Sequence, residues 1–513
     1  MKNLLLTLGL TVVTVAALAK PATPESTPDP EYRQAQVFVG QKNYAKASEV
    51  LFHLNRTTKD AKLKSKSAYL LSLCLFKLKL YQAASFSLIQ VVRLASDPES
   101  TKSALELLLQ TSDILNEPSL VRYAVKSTTP DRLSPSTSAV YHFLKGKIFA
   151  DKGDTNSAKL EFTQALTENP KRLEILYALG LLGLKSNDTE MASLYFNKIL
   201  ELTANLPMID NRRGMAILSM GRTHYQAKKW KQSIEFYRQI PKDSSLYRES
   251  LMELSWALFR NGQFRSALSP LQTLHSDFYE NFYDPESLLL RSIITLFSCR
   301  YEEVEKILES FDTIYRPAYT QIETWIQGSP SIQDAYETFE KVMRAGPKTK
   351  SKVGVPDGPL PFFVVRSIAD EPNVASELKY RKALDAEEKV VSTVFPQKGA
   401  PIASYMRSII KGRRKASSGR LAHAVLEHLE DYEVNLADFI SRSEFVHYEM
   451  LNSMREALKR KMDVTRASPI DRSFSRSFYV QNGYRYWPFE GEYWRDEVGN
   501  YQFVGKDQCE MLK

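Results

Sequence analysis

Glu490 and Glu492 stand among aromatic rings in the stretch YRYWPFEGEYWRDEVGNYQF, 484–503, where this chain combines paired acids with sugar-stacking side chains. Glycoside cleavage needs two carboxyl groups facing one another across the sugar, about 5 to 10 Å apart. Closeness in sequence cannot guarantee that separation, and other acid pairs, Glu427 with Glu430 and Asp496 with Glu497, are no more specific. His423 and His428 lie five positions apart. On a helix that spacing turns the chain by about 500°, so the imidazoles diverge by roughly 140° and do not share a metal. No HExxH, Walker A loop, GxSxG elbow or GxGxxG turn occurs in a fitting context. The expectation is a non-enzymatic protein with no catalytic residue, no metal and no cofactor. The alternatives are a peptidoglycan- or glycan-binding protein that stacks sugars on Trp487, Tyr493 and Trp494, and a glycan-cleaving enzyme with its site in the C-terminal third.

Composition narrows the partners of a binding protein. A net charge of +9 over 513 residues is a mild basic bias, suited to an anionic envelope surface and making no demand for nucleic acid. The run KGRRK at 411–415 reads as a solvated helix end or turn. Lys2, the apolar run from Leu4 to Val15 and Ala17-Leu18-Ala19 read as a secretory signal peptide over 1–19. The run is shorter than the roughly 20 residues a membrane span needs, so the mature protein is expected not to be integral to the membrane. Cys74, Cys299 and Cys509 show no paired spacing, and Cys74 and Cys299 read as small helix-packing residues. The expected location is the periplasm of a Gram-negative bacterium.

The elements that would position a binding surface begin after a Pro-rich linker, 20–30. Gly146, Ala158 and Phe162 recur as Gly180, Ala192 and Phe196, each pair 34 positions apart, and Phe149, Ala165 and Pro170 complete the first unit. This pattern resembles the tetratricopeptide repeat (TPR) family, whose unit is a helix–turn–helix of 34 residues. Small residues let the two helices of a unit approach, while the ring fills the gap against the next unit. The same frame fits Ala35, Phe38, Ala47 and Leu51; then Ser72, Leu75, Ala84 and Leu88; then Gly221, Ser233 and Tyr237; then Ser255, Leu258, Ala267 and Leu271; and, weakly, Ser292, Val304 and Leu308. With a degenerate unit at 104–126, about seven or eight repeats are expected from 31 to about 326, and a capping helix near 331–344 closes the solenoid at 31–344.

A Pro/Gly/Lys linker at 345–361 then precedes a helical unit, 362–468, with helices expected at 373–395, 402–412 and 419–464. From 469 to 513 the period changes. Asn482-Gly483 between β-forming runs predicts a hairpin, and the eleven aromatics from Phe474 to Phe503 predict a small aromatic-rich β-module whose inward rings form a core. The expected fold is thus an all-α, TPR-type α-solenoid followed by a helical unit and a small C-terminal β-module. Trp487, Tyr493, Trp494, Asp496 and Glu497 are its candidate interface.

The family resemblance implies a concave groove lined by the first helix of each unit. On this sequence those positions fall on Phe143, Lys147, Tyr177, Lys185, Arg222, Tyr225, Trp256, Phe259 and Arg260, a mixture suited to an extended peptide bearing an acid. Asp151, Glu174 and Glu249 dilute that charge, and the plainer role for several of the rings is packing between repeats. The ending WPFEGEYWRDEVGNY resembles C-terminal motifs of periplasmic TPR proteins of predatory and gliding deltaproteobacteria, including gliding-motility components. The resemblance implies a scaffold whose partners are envelope proteins, with peptidoglycan as a further candidate.

Overall fold

The computed structural model describes residues 29–129, 133–279, 282–347, 358–396 and 400–459. Eight helix pairs follow one another. They are α1 (Pro30–Gly40) with α2 (Tyr44–Thr57), α3 (Ala61–Lys77) with α4 (Tyr81–Leu94), α5 (Pro98–Leu115) with α6 (Pro118–Lys126), and α7 (Pro135–Asp151) with α8 (Thr155–Glu168). Then come α9 (Leu173–Lys185) with α10 (Thr189–Leu202), α11 (Asn211–Gln226) with α12 (Trp230–Tyr237), α13 (Tyr247–Arg260) with α14 (Phe264–Leu274), and α15 (Pro285–Phe297) with α16 (Tyr301–Gln327). Helix α17 (Ile332–Ala345) follows the last pair and opens on a capping box between Ser331 and Asp334.

Two local devices repeat through the array. A Cβ built on Gly146 would lie 2.6 Å from the Phe162 ring, one on Gly180 2.5 Å from Phe196, and one on Gly221 2.3 Å from Tyr237. Any larger residue there would drive the two helices of the unit apart. The second device is the turn inside each pair, which carries one residue with φ near +60°: Lys42, Lys79, Asn116, Gly153, Asn187, Lys228, Gly262 and Cys299. A left-handed residue after a helix satisfies orphan carbonyls and reverses the chain in a few residues, and its presence in every pair marks eight units.

Beyond the array lie α18 (Phe362–Asp370), α19 (Pro372–Val394) and α20 (Pro401–Lys459). Helix α20 is continuous over 59 residues, roughly 88 Å, which corrects the expected break between 412 and 419. Gly412 and Gly419 face open space; each weakens the helix by about 1 kcal/mol relative to alanine, yet packing on both sides keeps it intact. Its early apolar residues, Ile402, Ala403, Met406 and Ile410, share a core with α2–α4, where Tyr405 lies 5.2 Å from Phe52. Its later ones, Leu421, Val425, Leu429, Leu436, Val446 and Met450, share a core with α16 and α17. The long helix, expected to pair with the two helices before it or with the solenoid, does both, and α20 runs as a clasp from the first units to the last.

The fold class needs a second correction. The described residues contain no strand, so the structure is a helical array closed by helices. The segment read as a β-module, with Trp487, Tyr493, Trp494, Asp496 and Glu497, lies outside the described residues. No described helix is long and apolar enough to cross a membrane.

Candidate functional site

Most of the groove residues are committed to the fold. Phe143 is buried, 5.9 Å from Phe162, with the Arg172 guanidinium 4.7 Å from its ring and Lys147 Nζ 5.8 Å from it. Lys147 also donates to Asn116 Oδ1, and burial lowers its pKa. Tyr177 packs on Phe196 at 5.6 Å and accepts from Ser219 Oγ at 3.4 Å. Tyr225 meets Trp230 edge-on at 4.9 Å. Trp256 Nε1 donates to Glu286 Oε1 at 3.0 Å, and its ring meets Phe259 at 5.8 Å. Lys185 and Arg260 alone among the candidates are exposed.

Arg222, expected to hold a partner's carboxylate, is saturated by the chain's own. Its Nε donates to Glu253 at 2.9 and 3.2 Å, and its Nη2 donates to Glu253 at 2.6 Å and to Glu249. Burial works against the guanidinium charge, but Glu253 and Glu249 outweigh it and raise the pKa. Glu249 and Glu253 are one turn apart on α13, so both face α11. The sequence lists these acids, yet which arginine they meet depends on the register between units.

A better receptor arises beside α12, the shortest of the second helices. The second helices α2, α4, α8 and α10 each run 14 residues, whereas α12 has 8; the missing turns amount to about 9 Å. Pro241 follows the last turn and prevents its continuation. The flank of α13 and α14 is left open as a cleft of about 750 Å³ with a floor that includes Leu251, Leu254 and Leu258. Exposed Arg238 and Arg265 stand on its rim, and neither makes an ion pair among the described residues. An apolar side chain fits the floor while a neighbouring carboxylate meets the arginines.

The KGRRK run, read as a solvated end or turn, lies in the middle of α20 and fastens it. Arg414 donates to Asp385 and Glu388, both at 2.6 Å. Arg413 donates to Ser119 at 3.3 Å and lies over the Phe86 ring at 5.1 Å. Nearby, Arg420 bridges Glu377 at 2.6 Å and Glu117 at 3.3 Å. Glu117 is the N-cap of α6, accepting from Leu120 N–H at 2.7 Å. Helix α4 lacks a cap of its own; Glu387 of α19 supplies one, accepting from Gln82 N–H at 2.7 Å. Burial raises the Glu387 pKa to about 7 against the lowering effect of these backbone bonds.

Cysteines divide similarly. Cys74 is a buried free thiol whose pKa burial pushes to about 12. Cys299, expected as a packing residue, is disulfide-bonded and occupies the left-handed turn between α15 and α16. Glu427 and Glu430 are exposed on α20, and His428 meets Asn373 Oδ1 at 2.7 Å. Among the described residues no group of three or more His, Cys, Asp or Glu could hold a metal ion.

Comparison with known proteins identifies the units. Residues 139–172 and 173–206 each match the tetratricopeptide repeat model, so α7–α8 and α9–α10 are repeats of that family. A stretch of 112 residues, 22% of the chain, is 29% identical to a Haemophilus influenzae protein described as a lipoprotein NlpI homolog, and spans 35% of that protein's length. Among solved structures, a tetratricopeptide repeat protein from Parabacteroides merdae aligns over 55% of this chain and 91% of its own at 17% identity and a TM-score of 0.27. The Pseudomonas aeruginosa pilF structure covers 42% of this chain and 94% of its own at 19% identity, TM-score 0.30. Apo RapI covers 76% and 98% at 12% identity, TM-score 0.35. Superpositions this loose carry no argument about function.

Proposed function

We propose that this tetratricopeptide repeat protein is an exported, non-enzymatic scaffold of a bacterial cell-envelope machine, and that the cleft beside α12 grips an apolar, acid-bearing segment of a partner protein. The observation that carries the reading is the shortened α12, which opens an apolar floor under Arg238 and Arg265, two exposed arginines with no ion pair among the described residues. Export is supported by the signal-like residues 1–19, by the disulfide at Cys299, which suits an oxidising compartment, and by a partial relative described as a lipoprotein. The ending WPFEGEYWRDEVGNY, similar to motifs of gliding-motility components, supports such a machine as the setting.

A photo-crosslinker at Gln239 or Ser266, both lining the cleft, tests the site in native envelopes. The expected product is a crosslinked partner peptide carrying Asp or Glu beside a large apolar residue, reduced at least tenfold by Arg238→Glu with Arg265→Glu. Equal crosslinking by the double variant would refute the cleft. Co-sedimentation with purified sacculi that survives the same double variant would favour a glycan binder instead.

A further inference from the structure

The cleft beside α12 has the size of a piece of helix. Ala192 and Phe196 of α10 answer to Ser233 and Tyr237 of α12, 41 positions on. Helix α10 continues six residues past Phe196, to Leu202, whereas α12 ends at Tyr237 itself. Six residues of helix fill a cylinder about 9 Å long and 10 Å across, roughly 700 Å³, and the cleft holds about 750 Å³.

The neighbouring unit shows what such a piece would cover. Met220 of α11 is buried in a core with Phe196 and Ile199 of α10. Leu254 stands at the same place in α13, 34 positions on, and is only half-buried. With Leu251 and Leu258 it makes a ridge at steps of three and four on the cleft floor, the form that packs into the groove of another helix. The α14 wall presents Ser266, Ser269 and Pro270 at the same steps, and residues this small let a further helix come close.

Backbone chemistry selects the same occupant. An extended peptide entering an apolar cleft must give its N–H and C=O groups to a strand edge or to polar side chains. The described residues contain no strand, and a helix satisfies those groups within itself. We infer that the cleft takes an amphipathic helix of the partner, about two turns of which lie where α12 stops, with an apolar edge on Leu254 and acidic residues toward Arg238 and Arg265. The occupant so named rests on the cleft reading above and adds its conformation and its docking edge. Once seated, it completes the layer of second helices between α10 and α14.

Residues 192–203, ASLYFNKILELT, hold this place one unit earlier and carry Glu201 beside an apolar edge, so they supply the probe. A fluorescent peptide of that sequence, stapled through positions 194 and 198, both exposed in α10, is titrated against the full chain. The control is the same sequence with alternating L and D residues, which does not form an α-helix. The expected result is saturable binding of the stapled peptide, at least tenfold tighter than the control. Replacing QIPKD at 239–243 by KILEL, the residues of 198–202, lengthens α12 and keeps both arginines; it should weaken binding at least tenfold. Ser266→Trp, at an exposed position on the wall, should do the same without touching the core. Equal binding of the two peptides, no binding of the stapled one, or binding unchanged by both variants would each overturn the proposal. The photo-crosslinking of native envelopes decides the cleft reading separately: an arginine-dependent crosslink together with equal binding of the two peptides would keep the cleft and remove the helix.

Discussion

Helix α20 docks on the array by opposite means along its length. Around 411–420 its contacts are ionic: Arg413, Arg414 and Arg420 meet Ser119, Glu117, Glu377, Asp385 and Glu388. From 402 to 410 and from 421 to 450 they are mainly apolar, with Ile402, Met406 and Ile410 in the core of α2–α4 and Leu421, Leu429 and Leu436 fully buried in the core of α16 and α17. Apolar burial depends little on salt or pH, whereas paired charges weaken as counter-ions screen them or a carboxylate changes protonation. The apolar stretches of the clasp are therefore permanent joints, and the ionic stretch between them is an adjustable one.

The largest blow to that contrast should come from a permanent joint. Leu429→Ala is expected to lower stability by about 3 kcal/mol through a cavity that α16 and α17 cannot fill, seen as a lower melting temperature that added salt does not change. Glu117→Ala should cost about 2 to 3 kcal/mol, since it removes the α6 cap and leaves Arg420 short of a partner; here the gap from wild type should shrink in 0.5 M salt. If both variants respond to salt alike, the two joints do not differ in kind.

Glu387 sharpens the contrast through pH. Its folded pKa, about 7, lies above the usual carboxylate value, so between roughly pH 4.5 and 7 the folded state binds more protons than the unfolded. Stability from this group is fully present below about pH 4.5 and is lost as pH rises through 7, by on the order of 3 kcal/mol. Glu387→Gln should flatten that slope in chemical unfolding at a series of pH values; an unchanged slope would remove the group from the account. The smallest effect belongs to the array itself. Lys228 is exposed at φ +58°, and Lys228→Gly should gain about 0.5 kcal/mol by relieving left-handed strain, equally at low and high salt because the turn is remote from both joints.

The array was legible because its rule is steric and local: Gly146 with Phe162 and Gly180 with Phe196 leave no room for another residue type. The continuity of α20 was not. KGRRKASSGR carries the local marks of a boundary, and the acids that cancel them, Glu117, Glu377, Asp385 and Glu388, come from elsewhere in the chain. The pairing of Arg222 was hidden for a related reason: it meets Glu249 and Glu253 only once α11 and α13 are set side by side. Pro241 was a readable hint of the cleft, since it bounds α12, but an absent turn leaves no residue to notice.

An open solenoid behaves as a spring, because each unit touches only its neighbours and small rotations add along the stack. With α20 joined to α2 and α4 at one end and to α15–α17 at the other, the spring has a tie rod. A partner pulling on the middle units would bow the array against a fixed chord instead of lengthening it.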